Sequence, residues 1–148
     1  MIISPKYKAV FIANPKCGSM TVHKTLRKCI EDEELIEELL NPDKHMPCSE
    51  LMEKSPQYEN YFKFAFVRNP WHRVVSWYFF EKAIPGKNFK DASENKLKRD
   101  TSNISFKEFI TNTWFRDRVW ANRKQFQYKF TKDCDFIGKT ENLQEDFN

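Results

Sequence analysis

Glycine is scarce in this chain, with three residues in 148. The segment "FIANPKCGSM" (11–20) reads as a strand running into a loop, but Lys16 precedes Gly18 and no glycine stands upstream. A Walker-type loop, whose lysine follows its second glycine, is therefore disfavoured here. No apolar run approaches the roughly 18 residues that a membrane span needs. The N-terminus leads within ten residues into a core strand, so no signal peptide is expected and the expected compartment is cytoplasmic. The four cysteines (Cys17, Cys29, Cys48 and Cys134) form no CxxC pair, so they read as reduced thiols, and no zinc site is expected. Internal repeats and low-complexity tracts are absent.

What is present suits a single folded domain over residues 1–148. Hydrophobic residues make up 40% and aromatic residues 16%, enough for one core. The net charge of +4 is unevenly spread. Residues 31–60 carry ten acidic side chains against Lys44 and Lys54, whereas residues 81–132 carry thirteen basic against six acidic. The basic half suits an anionic partner, and equally a solvated surface of mixed charge.

"KAVFIA" (8–13) is a short apolar run closed by Asn14 and Pro15, as expected for a strand buried on both faces. Beyond the loop, Val22, Leu26, Cys29 and Ile30 recur at helical spacing, and that helix is expected to run on into "EDEELIEELL" until Asn41 and Pro42 end it. "PCSELMEK" offers Pro47 or Ser49 as the start of a short helix. "FKFAFV" (62–67) is a second strand, followed by the turn "RNP", with Pro70 suited to a first helical position. In "WHRVVSWYFF", Trp71, Val74, Val75 and Tyr78 form an apolar stripe. Residues 83–103 read as a long polar insertion, "SFKE" (105–108) as a capping box, "CDFIG" (134–138) as a third strand and "ENLQEDF" as the start of a helix. Alternating strands and helices with long crossovers predict an α/β fold of three layers.

Two loops carry the chemistry. In the first, a strand delivers "NPKCGSMT" to a helix N-terminus, where unpaired N–H groups and the helix dipole favour an anion. Gly18 allows close backbone approach, Ser19 and Thr21 add hydroxyls, and Lys16 adds a positive charge. Taken alone, the segment also fits a plain turn with an exposed lysine. In the second, "FVRNPWHRVVSWY", Arg68 ends a strand, and Ser76 lies about 140° around the helix from Trp71, on the side of His72 and Arg73. Arg68 suits bidentate phosphate binding with Ser76 as donor. Singly, Ser76 also fits a serine bonded to its own backbone, and Arg73 a surface salt bridge. Side by side at the carboxyl edge of one sheet, the two loops suit a ligand with two separate phosphates.

"FIANPKCGSMTVHKTL" resembles the 5′-phosphosulfate loop of sulfotransferases, and "FKFAFVRNPWHRVVSWY" resembles their 3′-phosphate motif. The run ending in "DFIGKTENLQEDF" is similar to the carbohydrate branch of that family. The resemblance implies a P-loop NTPase-like α/β/α fold with a central parallel sheet. It also implies transfer of a sulfuryl group from 3′-phosphoadenosine 5′-phosphosulfate (PAPS) to a hydroxyl or amine, with a carbohydrate as acceptor and adenosine 3′,5′-bisphosphate (PAP) as product. By position, Lys16 would meet the 5′-phosphate and bridging oxygen. Cys17, Gly18, Ser19, Met20 and Thr21 would cradle the phosphosulfate, and Arg68 and Ser76 would hold the 3′-phosphate. Neither a metal nor a nucleic-acid partner is expected.

A lysine at the leaving oxygen stabilises the charge that builds there in the transition state. The acceptor needs a base, for which histidine is suited. His23 reads as structural, and His72 as a supporting residue near the second loop. His45, in the connection between the two units, is the candidate base, with an ordinary loop histidine as the alternative and Glu50 next in line. Similar enzymes often take a histidine or glutamate from this region. Glu141 is expected to cap or orient the final helix. Met20 stands where related loops often carry a small or hydroxylated residue. Related domains usually continue beyond "ENLQEDF", which leaves open a compact enzyme, a truncated product or an excised domain. The competing readings are a P-loop kinase or NTPase, disfavoured by the lysine order and the lack of an acidic strand end, and a non-catalytic nucleotide-binding module.

Overall fold

The computed structural model describes residues 1–29, 45–83, 104–111 and 126–146. It falls into two compact units, Met1–Asn69 with Arg123–Asn148, and Pro70–Asn122. The strands are β1 (Ile2–Ser4), β2 (Ala9–Ile12), β3 (Phe62–Val67) and β4 (Phe136–Lys139). The described helices are α1 (Ser19–Cys29), α2 (Cys48–Lys54), α3 (Pro70–Lys82), α4 (Phe106–Thr111), α5 (Gln127–Thr131) and α6 (Leu143–Asp146).

In the first unit, β1 to β4 form one sheet in chain order. β2 pairs parallel with β3, with Ile12 opposite Ala65, and β3 pairs parallel with β4, with Val67 opposite Lys139. The two apolar runs occupy the two central places because both of their faces are covered. On one face, Ile3, Val10, Ile12 and Ala65 cluster with Met46, Cys48 and Leu51 around α2 and with Phe130 of α5. On the other, Ile2, Phe11, Ala13 and Phe66 pack against Val22 of α1, with Leu26 and Leu143 alongside. Each large side chain buried in this way contributes about 1.5–3 kcal/mol.

β1 is antiparallel to β2, so the sheet is mostly rather than wholly parallel. Three residues at the extreme N-terminus carry too short a pattern to announce a strand. β4 begins two residues later than "CDFIG" suggests. The Asp135 N–H donates to the Lys63 carbonyl and its carboxylate accepts from the Lys63 N–H, which positions the chain before the strand starts. Cys29, expected on the apolar stripe of α1, is exposed, and Ile30 and "EDEELIEELL" lie outside the described residues. The polar insertion lies almost wholly outside them too.

Gly138 of β4 lies directly over the buried ring of Phe66. A Cβ there would overlap Cε1 and approach Cδ1 to 2.7 Å. Because Phe66 is enclosed, Gly138→Ala is expected to cost about 1–3 kcal/mol, measured as a lowered urea midpoint. An unchanged midpoint would show that the ring can move aside.

All four cysteines are free thiols. The Cys48 thiol donates to the Asp133 carbonyl at 3.4 Å and the Cys134 thiol to the Phe130 carbonyl at 3.5 Å; the neighbouring Cys48 sulfur and burial together push the Cys134 thiol up.

In the second unit, α3 opens on Pro70 as its sequence suggests, but its buried face is rotated from the expected stripe. Trp71 is 76% exposed and Val75 39%, while Tyr78 packs on Phe109 with Val74, Trp77 and Ile104 around it. Tyr78 Oη also donates to the Ile104 carbonyl at 3.0 Å. Arg73 lies over the Trp77 ring, 5.8 Å from its centroid, a cation–π contact. The capping box forms in full. Ser105 Oγ accepts from the Glu108 N–H at 3.2 Å, and the Glu108 carboxylate accepts from the Ser105 N–H at 2.8 Å and from its hydroxyl at 2.6 Å. These bonds hold the Glu108 carboxyl below its usual range.

Candidate functional site

Parallel pairing of β2 and β3 carries the chain out of both strands at the same edge of the sheet, so the segments that follow them are neighbours. The first runs through Asn14, Pro15, Lys16, Cys17 and Gly18 into α1. Lys16 has φ 64° and Gly18 φ 74°, both left-handed. Left-handed residues are the pieces from which backbone anion nests are built. At Gly18 the conformation favours glycine, and a Cβ would press to 3.3 Å from the Thr140 methyl. At Lys16, a residue with a Cβ bears a cost of about 1–2 kcal/mol for the same conformation, and such strain concentrates at functional positions.

The Gly18 carbonyl accepts from the N–H groups of Thr21 and Val22, at 2.9 and 3.1 Å, and so starts the helix. The N–H groups of Gly18, Ser19 and Met20 and the hydroxyls of Ser19 and Thr21 make no hydrogen bond to any described residue. With α1 eleven residues long, these donors sit at the positive end of a helix dipole. Met20 is exposed, so its backbone rather than its side chain is its contribution to the loop.

The second segment begins at Arg68. Arg68 is half-buried, and its guanidinium makes no hydrogen bond or ion pair to any described residue. Ser76 lies on α3 in the second unit and is half-buried.

His45 comes to the first loop. Its Nδ1 lies 2.6 Å from the carbonyl oxygen of Ala13, the residue before Asn14. A carbonyl only accepts, so Nδ1 carries the proton, and in the neutral ring Nε2 holds the lone pair. The other histidines do different work. His23 packs edge-on against Phe11 with Nε2 3.4 Å from the Met1 amino group, as its structural reading expected, and His72 is exposed on α3. Glu50 is engaged by Lys54 at 2.6 Å.

Several polar residues tie the edge together, and most carry no signal in the sequence. Asn14 Nδ2 donates to the Phe66 carbonyl at 3.0 Å, and Asn14 Oδ1 is buried without a partner. Thr140 Oγ1 donates to the Val67 carbonyl at 2.9 Å. Gln127 reaches both loops: Oε1 accepts from the Arg68 N–H at 2.7 Å and from the Cys17 thiol at 3.1 Å, and Nε2 donates to the Arg68 carbonyl at 2.9 Å. Glu141 accepts from the Asn69 N–H at 2.8 Å, which ties it to the second loop. Its place beside β4 at the shared strand edge brings it to that turn before α6 begins. The arrangement can bind a tetrahedral oxyanion at the head of α1 and a second anion at Arg68. Among the described residues, no cluster of histidine, cysteine or carboxylate side chains suits a metal, and no helix is long and apolar enough to cross a membrane.

A family model described as the Sulfotransferase family matches residues 1–148. An uncharacterized protein of Archaeoglobus fulgidus is 37% identical over 94 residues, a match covering 60% of this chain and 63% of that protein. The chain thus matches less than two thirds of that relative's length. No solved structure matches.

Proposed function

Because this chain belongs to the sulfotransferase family, we propose that it moves a sulfuryl group from PAPS to a hydroxyl or amine, with a carbohydrate as the acceptor class. The observation that carries this reading is the pair of loops leaving parallel β2 and β3 at one edge, one heading α1 with unpaired donors and the other presenting Arg68. Donors of this kind fit the two ends of a nucleotide that bears phosphate at both its 3′ and 5′ positions. Helix residues on both faces of the sheet support the P-loop-like, three-layer fold that goes with it.

When bound, the donor supplies an activated sulfuryl group on a phosphate leaving group. The N–H groups of Gly18, Ser19 and Met20 and the hydroxyls of Ser19 and Thr21 orient it. Lys16 neutralises charge on the departing phosphate oxygen. His45, with Nδ1–H fixed on the Ala13 carbonyl, takes the acceptor proton at Nε2. Arg68 binds the 3′-phosphate, and Ser76 joins it through its place in the motif. A kinase reading is not favoured, since the family match and the lysine order both count against it.

Arg68→Ala is expected to weaken PAP binding by about 10–150-fold, the value of one charge-assisted contact, with little effect on 5′-AMP. The reaction itself is tested by incubating the protein with sulfur-labelled PAPS and a panel of sugars, other alcohols and amines. Label on a sugar supports the carbohydrate reading; label only on a non-sugar acceptor corrects the acceptor class; PAP binding without label on any acceptor favours a nucleotide-binding module.

A further inference from the structure

We infer that Gln127 is a positioning residue that sets the spacing between the two loops, and thereby the preference for a nucleotide phosphorylated at both 3′ and 5′ positions. The inference rests on the reading above and adds a residue to it.

β3 ends at Val67, so the peptide of Arg68 lies beyond the strand ladder. Gln127 satisfies that peptide as a further strand would, accepting from its N–H at 2.7 Å and donating to its carbonyl at 2.9 Å. The same Oε1 takes the Cys17 thiol at 3.1 Å. An amide oxygen has two lone pairs, and both are used. Cys17 stands between Lys16 and Gly18, so one amide group holds the phosphosulfate loop and the backbone of Arg68 at a fixed separation.

The amide is itself held. Gln127 opens α5, where Thr131 Oγ1 donates to the Gln127 carbonyl at 3.2 Å and Phe130, fully buried, anchors the turn in the core. A brace on a firm base can fix a distance where a surface glutamine could not. Two phosphates on one nucleotide are a bivalent ligand, and the second contact gains most when its site is already at the right span. A ligand with one phosphate is indifferent to that span.

The test uses calorimetry with PAP, 5′-AMP and 3′-AMP on the wild type and two variants. Gln127→Met keeps the length and removes the hydrogen bonds. It is expected to weaken PAP binding by about tenfold or more while 5′-AMP and 3′-AMP each change by less than about twofold. An equal loss for all three ligands, as general loosening or misfolding would give, overturns the inference, and so does unchanged PAP affinity. Gln127→Glu gives a second readout that does not depend on Met being tolerated. Ionised, it cannot donate to the Arg68 carbonyl; protonated, it can. Its PAP affinity relative to wild type should therefore recover as pH falls from about 6 to about 4, through the ordinary carboxyl range, and a flat ratio counts against the brace. If wild-type protein binds PAP no more tightly than 5′-AMP, the two-phosphate reading itself fails and this inference falls with it. That result is separable because it is read before any variant is compared.

Discussion

Lys16→Ala will reduce sulfuryl transfer by at least about 10²–10³-fold while PAP affinity falls by about tenfold or less. The asymmetry follows from when the lysine is needed. In the ground state the leaving oxygen is shared between phosphate and sulfur. As that bond breaks the oxygen gains charge, and a cation beside it then stabilises the transition state most. The first loop places Lys16 ahead of the helix N-terminus, in a left-handed conformation with φ 64°. A second substitution separates backbone from charge. Lys16→Gly lacks the same cation but adopts that conformation without a Cβ penalty, so it should be more stable than Lys16→Ala by about 1 kcal/mol, or roughly 2–4 °C in melting temperature. Both variants should be equally inactive. Transfer retained by Lys16→Ala at a tenth of the wild-type rate or above would remove the lysine from the chemistry.

His45→Ala is the second large effect. Loss of a general base costs about 10²–10⁴-fold, and the loss should fall on kcat with nucleotide affinity kept, because His45 is read as acting on the acceptor. Its ring is oriented by the Ala13 carbonyl, 2.6 Å from Nδ1, which fixes the proton on Nδ1. His45→Gln distinguishes position from basicity. An amide can still donate to that carbonyl, so a variant that preserves loop geometry but remains as inactive as His45→Ala identifies proton transfer as the role. Full turnover by either variant sinks the assignment and turns attention to Glu50, whose carboxylate is paired with Lys54.

The parts of the site that were legible share a physical reason. "KAVFIA" and "FKFAFV" are strands buried on both faces, so continuous apolar character ended by Pro15 and Pro70 marks them plainly, and the connection between them is long enough for the parallel pairing they adopt. Lys16, Gly18, Ser19 and Thr21 stand together in sequence because one loop and one helix start bring them together in space. Arg68 is legible for the same reason.

Other features depend on contacts that no local pattern carries. Gln127 opens a five-residue helix, too short for a periodic stripe, and its partners Arg68 and Cys17 lie 59 and 110 positions away in the chain. Thr140 and Glu141 gain their roles only because β4 lies beside β3. α3 misled differently. Trp71, Val74, Val75, Trp77, Tyr78, Phe79 and Phe80 place apolar surface nearly all round the helix, so spacing alone selects no face. Tyr78 settles the choice in the structure by packing on Phe109 and donating to Ile104, both distant in sequence.

The pairing of the two loops around a doubly phosphorylated nucleotide is tested most directly by titration calorimetry of the wild-type protein with PAP and with 5′-AMP. The expected result is PAP binding tighter by about 10–150-fold, the contribution of a charge-assisted contact to the additional phosphate. Equal affinity for the two nucleotides would contradict it.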